Sequence, residues 1–399
     1  MPASCSNTRK NNLIMFSTSR IILSASALRN NVDFLRKQVL GPETRISAVV
    51  KGNAYGHGIE TFVPLAETCG VNHFSVFSAG EAWRVLKVRR QPGTIMIMGY
   101  IADEELPWAV ANEIECFIYD RERLAAIIAA AKESGKPARI HIEVETGMNR
   151  TGLTAEELQE LLPMLKEGRQ HLHLAGVSTH YAGAEHSSNY DRVKAQIGRY
   201  ERHLAFLKGH GLEPEIRHTA CSAATLIFPE TQLDLVRLGV LIYGYWPSQE
   251  TWADYNLTNK HITEESLEPV LTWKTGVMSL KHLKKGESLG YGKHFVATRD
   301  SVMAAIPVGY SYGYSRALSN LGEVGIRGER ARIAGIVNMN MMMADVTHIP
   351  GVQRGDEVIL AGRDACGLIK FASFNQAENP LNYEMLARLP SDIPRQLSE

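Results

Sequence analysis

Short apolar runs punctuate the first two-thirds of the chain, near 46–50, 72–77, 94–98, 114–118, 138–144, 174–179, 214–218 and 234–238. Runs of this length bounded by polar turns read as strands. Between them lie stretches with helical spacing, among them 80–89, 103–112, 121–134, 154–167 and 188–209. Another helical pattern, 24–40, follows the apolar triplet Ile21–Leu23, with Ser24 or Ser26 as its cap. Eight strands with a helix after nearly every one predict an α/β fold, a (β/α)8 TIM-type barrel. A doubly wound sheet is the rival, but no GxGxxG follows the first strand. The barrel is the preferred reading.

The texture changes after Tyr243. Residues 246–268 are polar and carry neither the helical nor the strand period, which predicts a linker or surface excursion. Short β runs separated by glycine turns follow at 270–283, 301–308, 331–338, 342–347 and 356–361, a second, all-β C-terminal domain. Ile21–Leu23 is placed to pair into it. The pattern divides the chain into a disordered leader at 1–19, a barrel at 20–258 and a β domain at 259–399.

Composition narrows the function. Lys and Arg number 43 against 43 Asp and Glu, so no basic field exists to hold nucleic acid or an anionic membrane. No apolar run approaches the ~20 residues of a membrane span, and Leu13–Phe16 is too short for a signal sequence, which predicts a cytoplasmic protein. The five cysteines (Cys5, Cys69, Cys116, Cys221 and Cys366) are odd in number and lack CxxC spacing, which argues against disulfides or a zinc site. A small-molecule role remains.

The candidate chemistry gathers at the strand ends. The stretch ISAVVKGNAYGHG, residues 46–58, places Lys51 at the C-terminal end of the first barrel strand, where partial desolvation makes an amine a usable nucleophile. Strand five leads to Glu143, Glu145 and TGMNRTG, which holds Arg150; strand six ends in STHYAGA, with His180. Strand seven runs into HTACSAAT, with Cys221 and Ser222 before a helix start, and strand eight carries Arg237 inside an apolar run with Gly239 just beyond. An arginine there is costly unless an anion or a strong acceptor receives it. Ser222 alone reads more readily as a helix cap. Together with Gly239 it forms a phosphate cradle opposite Lys51, which suits a phosphate-bearing carbonyl cofactor.

AVVKGNAYGHG resembles the pyridoxal-phosphate lysine motif of the alanine racemase family, and the resemblance extends from about Ile21 to Arg395. It implies a pyridoxal 5′-phosphate enzyme that racemises a small amino acid, with alanine as the expected substrate. Lys51 becomes the Schiff-base lysine and Tyr55 a phosphate ligand. His180 would stack beside the pyridine ring, Arg150 would bond the phenolic oxygen, and Ser222, Gly239 and Val240 would hold the phosphate. Arg237 would face the pyridine nitrogen, to which it donates without readily giving up a proton. IPVGYSYGYSR matches the segment with a tyrosine base, here Tyr310, and AGIVNMNMMMADVT places Met339 at the substrate carboxylate. The family pairs head to tail, so a homodimer is implied, with Tyr310 of one chain completing the site that holds Lys51 of the other. Lys51 would then serve the Cα hydrogen of the D-isomer and Tyr310 that of the L-isomer.

The sequence departs from the family in several places. Glu143 stands where many members carry a carbamylated lysine, which predicts a direct Glu143–Arg150 pair. Cys221 replaces an asparagine, Asn338 and Asn340 flank Met339 where Cys and Asp are commoner, and Tyr312 stands for Asp. Ser391 falls where a tyrosine usually narrows the pocket, which predicts tolerance of serine or larger substrates. The rival readings are a broad serine/alanine racemase, a fold type III decarboxylase and a non-catalytic pyridoxal-phosphate-binding protein. The motifs TGMNRTG and VGYSYGY do not match the decarboxylases. Gly290–Lys293 is no P-loop, since Glu287 and His294 occupy required Gly and Ser/Thr positions. His171 and His173 lack a third metal ligand nearby in sequence.

Overall fold

A computed structural model describes residues 17–364, 367–369 and 383–399. Most of the leader, with Cys5, and also Cys366 lie outside the described residues. The described residues form two compact units, one of residues 24–270 and one of residues 17–23 together with those described between 271 and 398. Among the described residues no helix is long and apolar enough to cross a membrane.

The first unit is the eight-stranded parallel barrel. Its strands, in chain order, are Arg45–Val49, His73–Val76, Thr94–Ile97, Glu115–Ile118, Ala138–Glu143, Leu172–Ser178, Ile216–His218 and Leu235–Leu238. Each pairs in parallel with the next through the seventh, and the eighth pairs with the first. Between the seventh and eighth no continuous ladder forms. There the wall is joined by Asp234 N–H to the Arg217 carbonyl at 3.2 Å, Arg237 N–H to the Ala220 carbonyl at 3.0 Å and a lone Cys221–Arg237 bridge. Helices follow their expected patterns: Ser78, Asp120 and Thr154 each cap one through the side chain, and Ser24 caps Ala25–Phe34.

Residues 246–268 are not a plain excursion. They contain the helix Gln249–Thr258, capped by Ser248, which accepts from Thr251 N–H. Only Thr251 and Tyr255 of this helix are buried, so two inward positions four residues apart were too few to print a period. Trp246 packs against Trp252 and Tyr255.

The second unit is all-β. Its sheet runs in the order Ser279–Leu283, Ser301–Ile306, Met342–Asp345, Glu329–Ile333, Glu323–Ile326, Glu357–Asp364, Leu271–Gly276, Arg20–Ser24, Arg395–Ser398. Ile21–Leu23 does pair into it, antiparallel to Thr272 and its neighbours. The run 270–283 is two strands, and 323–326 and 395–398 are strands that the pattern did not reveal. Ser17–Ser19 also belong here: Trp273 Nε1 donates to Ser19 Oγ at 3.0 Å and Thr275 Oγ1 to the Thr18 carbonyl at 2.6 Å.

Candidate active site

Lys51 leaves the first barrel strand and enters an unusual turn. Gly52, Asn53 and Ala54 take φ/ψ of 60/44, 56/47 and 55/50, and Tyr55 has φ 49, so four successive residues are left-handed. Two bonds close the turn, Ala54 N–H to the Val50 carbonyl at 2.8 Å and Gly56 N–H to the Gly52 carbonyl at 3.0 Å. Left-handed geometry costs roughly 1–2 kcal/mol for each residue with a Cβ, so this turn persists only because its surroundings fix it. Glu81 accepts from Gly52 N–H at 2.7 Å and, through its other oxygen, from Phe77 N–H at 2.9 Å. Asn53 Oδ1 accepts from Arg84 at 2.6 Å and from Ile59 N–H at 3.2 Å, while Arg84 grips Glu60 with two bonds of 2.7 Å. Ala54 is fully buried. Lys51 itself is exposed, and its amine makes no hydrogen bond among the described residues. Desolvation, and then the charge of Arg150, hold that amine below the ordinary lysine range.

Arg237 lies on the neighbouring strand and is held differently. It is buried, yet four acceptors meet it: His218 Nδ1 at 2.6 Å, the His218 carbonyl at 2.8 Å, the Thr179 carbonyl at 2.8 Å and the Thr219 carbonyl at 3.2 Å. Behind it runs a buried chain. His218 Nε2 lies 2.8 Å from His141 Nδ1, and His141 Nε2 lies 2.7 Å from Glu115 Oε2. One end of the chain can only donate and the other, an ionised carboxylate, can only accept. Each imidazole therefore carries its proton on Nε2 and passes a hydrogen bond from Arg237 toward Glu115. Burial opposes the Glu115 charge, but the bond from His141 and the charges around it, Arg139 included, hold its carboxyl down at about 2. Burial pushes His218 well below the usual histidine range, and Arg237 adds to that.

The phosphate candidates converge. Ser222 opens the helix Ser222–Ile227 and its Oγ accepts from Gly239 N–H at 3.0 Å. A Cβ on Gly239 would lie 2.7 Å from the Tyr55 hydroxyl oxygen, so only glycine leaves this approach open. Val240 follows in the same turn, buried. Tyr55 leans on Tyr243, ring centroids 5.1 Å apart, and Tyr243 donates to the Val49 carbonyl at 2.9 Å. The left-handed turn and the end of strand eight thus meet at one hydroxyl.

His180 ends strand six half-buried. Burial, then Arg237, Arg150 and Lys51, push its pKa down to about 3, so it presents a neutral imidazole. Arg150 is exposed, on a loop that Glu145 gathers by accepting from Gly147 and Asn149 N–H. The expected Glu143–Arg150 pair is not formed. Glu143 is buried at the end of strand five, one of its oxygens without a hydrogen-bond partner, while Arg150 is exposed and makes no ion pair with it. Burial raises the Glu143 carboxyl, against a bond from Thr151 and the charges of Arg237 and Arg150.

In the β unit, Tyr310–Tyr312 form one 3-10 turn. Tyr310 N–H donates to the Asn338 carbonyl and Ser311 N–H to the Met339 carbonyl, both at 3.0 Å, and Asn340 Nδ2 reaches Ser311 Oγ at 3.0 Å. A Cβ on Gly309 would fall 2.0 Å from the Asn338 carbonyl oxygen, so the two loops touch backbone to backbone. Tyr310 and Met339 are brought together with both side chains exposed. Leu389 and Pro390 pack on Gly313, which puts exposed Ser391 just beyond the same turn.

These groups fit pyridoxal 5′-phosphate. A solvent-facing lysine with a depressed pKa, a hydroxyl-and-glycine cradle that a Cβ would fill, and a buried arginine beside a neutral histidine match its aldehyde, phosphate and ring. Several residues of this wall were not singled out from the sequence: Glu81, Arg84, Glu115, His141 and His218. Ser78-Ala79-Gly80-Glu81 has the spacing of a capping box, but Glu81 is diverted past the cap to Phe77 and Gly52. Arg84 reads as an ordinary helix-surface arginine, whereas Glu115, His141 and His218 were polar letters within apolar strands, the one signal that could have found them.

Comparison with known proteins adds independent findings. Residues 23–247 match the family model for the alanine racemase N-terminal domain, and 270–397 that for its C-terminal domain. An alanine racemase of Leptospira interrogans is 34% identical over 380 residues, 95% of each chain. One from Methanococcus maripaludis is 31% identical over 376 residues, 94% of this chain and 96% of the other. The crystal structure of alanine racemase from D-cycloserine-producing Streptomyces lavendulae superposes with a TM-score of 0.85 at 28% identity, covering 96% of this chain and 98% of that one. The Bacillus anthracis enzyme with bound L-Ala-P gives 0.84 at 28% identity, covering 96% of each.

Proposed function

Because the chain belongs to the alanine racemase family and is an amino-acid racemase, we propose that it interconverts L- and D-alanine with pyridoxal 5′-phosphate carried on Lys51. The observation that carries this reading is Lys51, its amine depressed and unbonded, on a turn that also delivers the Tyr55 hydroxyl to Gly239. When bound there, pyridoxal phosphate would supply an electron sink that acidifies the substrate's Cα–H. Tyr55, Ser222 and Gly239 would hold its phosphate, with Val240 closing the turn. Arg237 would offer its ring nitrogen a hydrogen bond from a side chain with no freedom to turn, and His180 would pack uncharged beside the ring. Arg150 would bond the phenolic oxygen.

Lys51 Nζ then exchanges the Cα proton on one face and the Tyr310 hydroxyl oxygen on the other, the two-base arrangement that inversion requires. A phenol titrates near ~10 in water, so this role asks for a cationic neighbour. Met339 would meet the substrate carboxylate through its backbone. We assign Tyr310 to a second copy of the chain, which makes the working form a homodimer.

Chiral analysis of product from L-alanine tests the assignment. Wild type should yield D-alanine, and Tyr310→Phe should lose inversion in both directions while Lys51 still exchanges the Cα hydrogen of D-alanine with solvent. Mixing Lys51→Ala with Tyr310→Phe protein should restore about a quarter of the sites' worth of activity or less, because only mixed dimers regain one intact site. No D-product from any amino acid would leave a pyridoxal-phosphate-binding protein. Serine turned over as fast as alanine would favour the broader racemase, the reading that the small side chain of Ser391 supports.

A further inference from the structure

The turn between Lys51 and Tyr55 must place both the lysine and the tyrosine hydroxyl, and its backbone geometry opposes both. Four left-handed residues in succession, three of them with a Cβ, do not hold that geometry unaided. Beyond its own backbone bonds and those of His57 and Gly58, the turn is held by two side chains of one neighbouring helix, Ala79–Val88. Glu81, on its first turn, spends both carboxylate oxygens on backbone N–H groups, one of them the N–H of Gly52 directly after the lysine. Arg84, three residues on and therefore on the same helix face, holds the Asn53 side chain while anchored to Glu60. Asn53 in turn reaches the N–H of Ile59, where the next helix begins. The turn is thus pinned at its first two residues by side chains and at Ala54 by burial.

We propose that Glu81 and Arg84 are positioning residues for Lys51, holding the left-handed turn that sets the lysine and the Tyr55 hydroxyl at one mouth. Glu81 acts twice. Its carboxylate fixes the Gly52 N–H, and its negative charge works against the desolvation and the arginines that depress the Lys51 amine. The pair acts through the turn, Glu81 on its backbone and Arg84 on the Asn53 side chain. This rests on the reading that Lys51 carries pyridoxal phosphate, and the test separates the two.

The experiment follows capture of pyridoxal phosphate by the cofactor-free protein, by the absorbance change as the Schiff base forms, across pH. Wild type should capture one equivalent per chain, with an inflection set by the Lys51 amine. Glu81→Ala should slow capture about tenfold or more and weaken retention of the cofactor by a similar factor. Its inflection should move to lower pH, because the charge that favoured the protonated amine is gone. Glu81→Gln keeps one acceptor of two, so it should shift the inflection the same way with a smaller loss of rate. Arg84→Ala should slow capture without that charge-specific shift to lower pH. Adding Ala54→Gly to Glu81→Ala relieves one strained residue and should recover part of the rate. Circular dichroism and thermal unfolding confirm that each variant is folded; Arg84→Ala and Glu81→Gln serve if Glu81→Ala is not. Capture rate and inflection within twofold and unshifted in all folded variants would overturn the proposal. Failure of wild type itself to capture the cofactor would instead overturn the reading it rests on.

Discussion

Lys51 and Arg237 stand at the ends of two strands that pair in parallel, with Ala48 opposite Leu238, yet they are held by opposite means. Arg237 keeps ordinary strand geometry and is fixed through its side chain, by four acceptors and a chain of two histidines ending on Glu115. Lys51 is fixed through the backbone that follows it, and its side chain is left alone. The difference matches the tasks assigned to them. A group that only presents a hydrogen bond benefits from rigidity, whereas a lysine that bonds a cofactor and then exchanges a proton must swing. The backbone strain on one side and the buried polar chain on the other are both costs that a purely structural barrel would avoid.

The comparison is sharpest where the side chains are removed. Glu115→Ala should cost the cofactor-free protein about 3 kcal/mol, because it strands the buried His141 Nε2–H and leaves Arg139 only its Glu215 partner. Urea unfolding measures it. The same carboxyl gives a pH signature. Its folded pKa of about 2 lies below the ordinary 4.5, so its contribution is complete above about pH 4.5 and is lost as pH falls toward 2. In Glu115→Gln the acid limb of a stability profile should flatten over that window.

Gly239→Ala comes next. Its new methyl must displace the Tyr55 hydroxyl, for about 1–3 kcal/mol of overpacking, and should weaken pyridoxal-phosphate binding at least tenfold by equilibrium titration. Smallest is Lys51→Ala, which should leave the unfolding midpoint of the cofactor-free protein within about 0.5 kcal/mol of wild type, because the side chain has no bond to lose. A loss there as large as that of Glu115→Ala would erase the contrast.

Much of this was legible in the chain. Each barrel strand sits within a few residues of its apolar run, since parallel strands buried on both faces spell themselves as continuous apolar stretches. The strand ends pointed to Lys51, Ser222, Arg237 and Gly239 and the family motif to Tyr55, but the cradle expected opposite Lys51 sits beside it, because strand eight closes the barrel onto strand one. What escaped has physical causes. The left-handed turn leaves no signature beyond Gly52, because Asn53, Ala54 and Tyr55 are held there by Glu81 and Arg84, about thirty residues away. The expected Glu143–Arg150 pair put a glutamate in the place of the family's carbamylated lysine, but the Glu143 side chain is buried at its strand end while Arg150 is exposed on the loop that Glu145 gathers. Glu115, His141 and His218 come from three different strands, and only closure of the barrel lines them up.

The central claim is that Lys51, free-ended on its clamped turn, carries the cofactor. Reduction of the pyridoxal-phosphate-loaded protein with borohydride, followed by peptide mapping, tests it directly. One phosphopyridoxyl group per chain is expected, on Lys51. Label on another lysine, or spread over many, would contradict it.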